Sequence, residues 1–438
     1  MPSVPTAAAE VAGICQDLLR IDSSNYGDGS GPGERAAAEY VMASLTEVGL
    51  APEFFESAPG RANVVVRLPG TDAARPALVL HGHTDVVPAD ASEWTVDPFG
   101  GEEIDGLLWG RGAVDMKDMD AMMLAVVRQM AREGRKPARD VVLAFFADEE
   151  AGGVHGARWA VDHRPELFEG ATEAISEVGG FSVDLGGTRA YLVQTAEKGI
   201  GWLRMVATGR PGHGSVAHPD SAVTRLAGAV ARIGAHAWPQ HLSPTVRQLL
   251  DGVSDLTGLP FEPEDPDAVG RLVAALGGAR RFVDATLRDT ANPTQLAAGY
   301  KANVVPGRAE AVLDTRFLPG REQAVRDTLT ELAGPGIEFE TVHRDVALEV
   351  PFEGDLVDAM VEALHGEDPD AVVLPYMLSG GTDNKSLSRL GITGYGFAPL
   401  RLPGDLDFTA LFHGIDERVP VDALRFGTRV LDRLLATC

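Results

Sequence analysis

Five short segments carry side chains able to do chemistry. The run His81-Gly82-His83-Thr84-Asp85 follows the apolar stretch Ala77-Leu78-Val79-Leu80, a pattern that reads as a buried strand delivering polar groups at its carboxyl end. Residues two apart on an extended chain share a face, so His83 and Asp85 can point together. One ring nitrogen of His83 is then free for a metal while Asp85 fixes the other. The segment Trp109-Gly110-Arg111-Gly112-Ala113-Val114-Asp115-Met116-Lys117 turns sharply and sets Asp115 just ahead of a helix, where alone it would read as an N-cap. Asp148-Glu149-Glu150 repel one another unless solvated or neutralised by cations. Glu149 and Glu150 can share a site only if the backbone bends, a freedom that Ala151-Gly152-Gly153 provides. Glu177 closes another short strand beside Gly179 and Gly180, and His413-Gly414-Ile415-Asp416-Glu417 supplies a late histidine. Two histidines and three carboxylates suit two divalent cations with one carboxylate bridging. The chemistry they imply is metal-assisted hydrolysis.

The elements needed to gather these residues alternate along the first part of the chain. Helical spacing covers Ala7 to Arg20, Glu34 to Val48 and Lys117 to Ala131. Strands read at Asn63-Leu68, Ala77-Leu80, Val141-Phe146 and Ala174-Ser176, the third apolar on both faces as in the middle of a covered sheet. Strands alternating with helices predict an α/β layer with a mostly parallel central sheet covered by helices. Near Lys198 the texture changes. A strand at Gly201–Thr208, a helix at Ala217–Ile233, a Pro- and Asp-rich stretch from Pro239 to Pro266, a helix at Asp267–Ala275 and strands at Gln295–Tyr300 and Ala309–Phe317 predict an inserted α+β domain. The α/β texture resumes by Phe352, with a strand at Ala371–Tyr376 and a helix at Val421–Leu435. The expected division is a catalytic part of residues 1–197 and 319–438 and a lid of 198–318, hinged near Lys198 and Pro319.

At 438 residues the chain exceeds what one core usually supports. A net charge of −26 argues against a nucleic-acid backbone or an anionic membrane as partner. Two cysteines are too few for a disulfide framework, and neither a basic leader nor a membrane-length apolar run is evident. A cytoplasmic location is the expectation.

Taken together, the chain resembles the dizinc metallopeptidase superfamily of aminoacylase, acetylornithine deacetylase, succinyl-diaminopimelate desuccinylase and glutamate carboxypeptidase. The matching pieces occur in the family's order and span nearly the whole chain. They are His81-Gly-His83-Thr-Asp85-Val-Val-Pro88, Gly110-Arg-Gly-Ala-Val-Asp115-Met-Lys117, Asp148-Glu-Glu-Ala-Gly152, Glu177, Glu197-Lys-Gly199, Gly212-His213-Gly-Ser215, Asn303-Val-Val-Pro306, Gly380-Gly-Thr-Asp383 and His413-Gly414.

By that resemblance, His83, Asp115 and Glu177 would hold one Zn2+, and Glu150, His413 and the shared Asp115 the other. Co2+ or Mn2+ would be possible substitutes. Asp85 would orient His83, and Glu149 would be the general base that activates water and passes its proton to the leaving nitrogen. A cis peptide would follow Asp115. His213 would stabilise the oxyanion, either within its own chain or from a partner subunit, while Asn303 and Arg316 would grip the substrate and Gly381 and Thr382 would line its pocket. A strand-surface salt bridge is an equal reading of Arg316. The implied substrate is a small peptide or N-acyl amino acid with a free carboxylate, and the implied assembly a homodimer through the lid. Glu at 177 leans toward deacylase or carboxypeptidase over aminopeptidase, and the acidic 239–266 stretch toward peptidase-like members. Among other enzymes, a metallo-β-lactamase-like site wants a histidine where Val86 stands, and a serine hydrolase wants an elbow that Gly212-His-Gly-Ser215 lacks. A catalytically silent scaffold on the same fold is the non-enzyme alternative.

Overall fold

The computed structural model describes residues 5–438; the first four residues of the expected 1–197 segment lie outside it. Its larger sheet runs in the order Glu53–Ala58, Arg61–Leu68, Val141–Phe146, Ala77–His83, Ala171–Ser176, Thr393–Gly396, Thr188–Glu197, Leu348–Glu349. Val372–Leu378 and Phe181–Leu185 also pair with Thr188–Glu197. The four middle strands, from Val141–Phe146 to Thr393–Gly396, are parallel to one another, and antiparallel pairs finish the edges.

Alternation along two middle strands explains why helices cover both faces. Leu78, Leu80, Val141, Leu143 and Phe145 join the core beneath helices Ala7–Leu19, Lys117–Glu133 and Val421–Thr437. Val79, Val142, Ala144 and Phe146 face the other way, onto Ala157, Ala160, Val161 and Leu387. A period of two with both faces apolar is what a buried parallel strand requires. Gly82 leaves room here for the side chains beneath it, because a Cβ would run into Asp120 Oδ1 of the underlying helix and the methyl of Met116 at that helix's N-cap.

The second sheet is antiparallel, in the order Thr290–Ala298, Arg308–Phe317, Gly199–Thr208, Ile337–Asp345. Helices Ala222–Gly234 and Glu322–Ala333 cover one face, with Leu203, Met205, Leu226, Ile233, Leu313, Val325 and Leu329 in a core of their own. Two departures from the sequence-derived boundary of 198–318 follow from packing. Ile337–Asp345 pairs with Gly199–Thr208 and extends this unit well past residue 318. Conversely, the 239–266 stretch contains helix Pro244–Thr257, whose Val246, Leu249, Leu250 and Val253 are buried in the large core beside Val372–Leu378. This helix starts where Ser243 accepts from Val246 N with Pro244 in the first turn, and stops at left-handed Gly258. That stretch is a wall of the large domain. The helix expected from Ala217 begins instead at Ala222, after Pro219 and the capping Ser221.

Candidate active site

The carboxyl ends of the parallel strands build one basin. His83 is the last residue of Ala77–His83, fully buried, with its Nδ1 2.9 Å from the main-chain oxygen of Asp85. Its Nε2 faces Asp115 Oδ1 at 3.2 Å, Glu177 Oε2 at 3.6 Å and Glu149 Oε2 at 3.9 Å. His413 Nε2 approaches the same basin on a loop, 3.2 Å from Asp115 Oδ2 and 3.1 Å from Glu150 Oε2. Asp115 thus turns one oxygen to each imidazole, and its peptide bond to Met116 is cis. His83 with Glu149 and Glu177, and His83 with Asp115 and Glu150, each present a cluster of ligand atoms close enough for one cation.

The local chain explains how Glu149 and Glu150 reach one site. They occupy a single 3-10 turn, Glu149–Ala151, bracketed by left-handed Asp148 and Gly152. The carboxylate of Asp85 fixes that turn by accepting from Glu149 N and Glu150 N at 3.1 Å each. It lies 3.5 Å from His83 Nδ1, so the closer partner of the ring is the Asp85 carbonyl. Asp85 thus meets the His83 ring with both its carbonyl and its carboxylate, and the same carboxylate shapes the 149–150 turn.

Burial and crowding shift every charge here. Burial, together with neighbouring carboxylates, pushes Glu177 up to about 7 and lifts Glu149 and Glu150 as well. Hydrogen bonds to Asp115 and Glu150 raise His413 to about 10. Burial opposes protonation of His83, but Glu177 and Asp115 outweigh it and hold it well above its ordinary value. Asp115 is held low against its burial by the two imidazoles. Glu150 Oε1 is buried without a hydrogen-bond partner. Converging imidazoles, mutually repelling carboxylates and an orphaned oxygen are a donor set that a divalent metal pair would satisfy.

Several residues that the sequence did not single out hold this basin. Asn25 Nδ2 donates to Asp85 Oδ2 at 2.9 Å and to Asp148 Oδ1 at 3.1 Å. Arg61 in turn donates to Asn25 Oδ1 at 3.2 Å and pairs with buried Glu34. Glu417 is fully buried, accepting from Arg111 Nη1 and from the backbone N–H groups of Gly112, Val114 and Asp115 at 2.7 to 3.1 Å. It ties the Asp115 loop to the His413 loop.

The basin opens into a cleft of about 420 Å³ lined by Asp115, Glu149, Glu150, Glu177 and His413 on one side. Ile200, Trp202, Arg316 and His343 of the second sheet line it too, as do Gly381, Thr382 and Lys385. Arg316 lines the cleft and forks onto Asp314 at 2.7 and 3.0 Å. Thr382 donates from its hydroxyl to Glu197 Oε1 at 2.6 Å and from its N–H to Oε2 at 3.1 Å, and Lys385 Nζ donates to Lys198 O at 2.7 Å. The Glu197-Lys-Gly and Gly-Gly-Thr-Asp motifs therefore interlock behind the cleft. His213 and Asn303 are brought together, but elsewhere. They sit on an exposed two-stranded ribbon, with Gly214 N on Asn303 O at 2.9 Å, and neither lines this cleft.

A parallel sheet carrying imidazoles and carboxylates at its strand ends, beneath a second sheet, defines a metal-dependent hydrolase. The chain belongs to Peptidase family M20/M25/M40, whose match covers residues 79–437. It is 28% identical to Aminoacylase-1 of Sus scrofa over 415 residues, 92% of this chain and 90% of that protein. Its fold is shared with the M20 family metallo-carboxypeptidase Sso-CP2 from Sulfolobus solfataricus, at a TM-score of 0.73 and 19% identity over 98% of this chain and 99% of that one. A dinuclear metal-binding M20 peptidase of Bacillus subtilis matches at a TM-score of 0.59 and 14% identity, over 99% and 98% of the two chains. The chain is a metal-dependent amidohydrolase or exopeptidase. Among the described residues, no helix is long and apolar enough to cross a membrane.

Proposed function

We propose that this enzyme hydrolyses the amide bond of a small substrate bearing a free carboxylate, an N-acyl amino acid or a short peptide, with two zinc ions as its metals. The observation that supports this most is the split of Asp115 between His83 and His413, the orientation a bridging carboxylate needs. Asp115 and these imidazoles, with Glu150 and Glu177, would hold the pair. When bound, such a pair supplies Lewis acidity and brings deprotonation of water within reach of neutral pH. Glu149, in a setting that raises its proton affinity, takes the proton of the attacking water and returns it to the leaving nitrogen. Arg316 and the 381–382 loop orient the substrate, with Arg316 exchanging Asp314 for the substrate carboxylate. The second sheet and its helices act as a lid, whose closure excludes water from the basin. His213 and Asn303, exposed and away from their own cleft, serve the cleft of a second copy in a homodimer, where His213 stabilises the oxyanion.

The test is a hydrolysis screen of N-acyl amino acids and dipeptides with zinc, cobalt or manganese added. Turnover that a chelator abolishes and zinc restores is the expected result. A folded, metal-loaded protein that cleaves neither class would point to a silent scaffold instead.

A further inference from the structure

The face of the second sheet that carries no helices has an uneven polarity. Far from the basin it is charged: Arg204 lies 3.5 Å from Glu310 and 3.4 Å from Glu340, and Arg308 pairs with Glu310. Two registers nearer the Glu197–Gly199 connection, Trp202 stands beside His343 on the neighbouring strand, with ring centroids 5.0 Å apart. Trp202 is 42% exposed and is the only exposed tryptophan among the described residues. A single exposed apolar side chain is ordinary on a protein surface. This one lines the substrate cleft, however, together with Ile200 of the same face. Phe282 and Phe412 line the cleft as well, from the large domain, packed edge to face at 5.3 Å. Burial holds His343 below its ordinary basicity, so the ring behind Trp202 is neutral at physiological pH. It stands opposite the catalytic turn, where a Cβ added at Gly152 would just reach its Cε1 at 3.7 Å.

Indole and phenyl faces in one water-accessible cleft favour a flat apolar partner, which buries area and stacks in offset or edge-to-face geometry. We propose that Trp202, backed by His343 and joined by Phe282 and Phe412, forms a subsite for an aromatic group of the substrate. This rests on the proposed hydrolysis of amides with a free carboxylate, and it names the group such an amide carries. The ring could belong to the acyl portion or to the amino-acid side chain, and the two sources are separable by experiment.

The experiment compares the metal-loaded wild type with Trp202→Ala and Trp202→Phe on three substrates: N-acetyl-alanine, N-benzoyl-alanine and N-acetyl-phenylalanine. In Trp202→Ala, kcat/KM should fall about tenfold to a hundredfold for one of the aromatic substrates, the range that apolar pocket contacts command. N-acetyl-alanine should stay within about twofold, and Trp202→Phe should recover most of the loss. Loss on N-benzoyl-alanine assigns the ring to the acyl side, and loss on N-acetyl-phenylalanine to the side chain. Equal losses on all three substrates, or none, would overturn the subsite. If the wild type cleaves no amide, the proposed function fails on its own. Quenching of tryptophan fluorescence by N-benzoyl-alanine then reads the subsite independently: loss of quenching in Trp202→Phe supports it, and unchanged quenching contradicts it.

Discussion

The candidate metal basin and the exposed two-stranded ribbon make opposite use of their candidate functional residues. In the basin, His83, Asp85, Asp115, Glu150 and Glu177 are held by strand ends, a 3-10 turn and buried hydrogen bonds, one donated by Asn25 to Asp85 and one accepted by Glu417 from Asp115 N. On the ribbon, His213 has an exposed hydroxyl for company, Ser215 Oγ at 2.7 Å from its Nδ1, and nothing from the basin. A group that must hold a charge cluster together is over-determined by its surroundings. A group that must meet a substrate arriving from another body is left reaching outward. The contrast teaches that one chain gathers its candidate ligand set in a single basin but leaves His213, the proposed oxyanion group, away from it.

The largest expected effect lies in the basin. Glu149→Ala should keep its metal and lose roughly 10²–10⁴-fold in kcat, the usual loss of a general base. Metal content measured beside turnover checks this, and near-wild-type turnover would remove Glu149 from the role. The ribbon supplies the sharpest test of the contrast. If His213 serves a second copy, His213→Ala and Glu149→Ala chains are each nearly inactive, yet their mixture regains up to about a quarter of the wild-type rate per pair of chains once subunits exchange. No recovery in a verified heterodimer would mean that each chain supplies its own His213.

Smaller effects probe the residues behind the basin. Asn25→Ala frees Asp85 and Asp148 from a shared donor without touching a ligand. Loss of such a supporting partner costs about 10–100-fold in activity or metal affinity. An unchanged zinc affinity and rate would show that the 149–150 turn holds its shape unaided. The smallest expected effect concerns stability. Burial lifts Glu34 to about 7, with Asp85 adding to the rise and Arg61 opposing it. The folded chain then keeps a proton that the unfolded chain loses near its ordinary value of 4.5. Because the unfolded state binds fewer protons in that window, the Glu34 contribution destabilises the fold as pH rises from about 4.5 to 7. Thermal melts across this range should show a shallower decline in Glu34→Gln than in the wild type. Identical slopes would mean that Glu34 is ionised throughout.

What the sequence made legible follows from where the signal lies. Strand ends such as Leu80-His81 and Phe146-Ala147-Asp148 announce themselves because an apolar run stops at polar groups. Mostly parallel order and the turn at Glu149 could be read from the same local contrast. Helix Pro244–Thr257 was hidden by surrounding prolines and acids, although Ser243-Pro244 and Gly258 mark its two ends. Strand Ile337–Asp345 is a half-exposed edge rich in charge, with little apolar alternation to betray it. The supports at Asn25, Glu34 and Arg61 act through contacts 27 to 123 residues apart in sequence, and no local pattern encodes such a meeting.

The central claim is a pair of cations bridged by Asp115, and a zinc titration of the metal-stripped chain, followed by calorimetry, tests it most directly. Two equivalents per chain are expected for the wild type, with protons released on binding because His413 and Glu177 give theirs up. Asp115→Ala should lose high-affinity binding at both positions. A single equivalent in the wild type, or two equivalents of undiminished affinity in Asp115→Ala, would contradict the bridged pair.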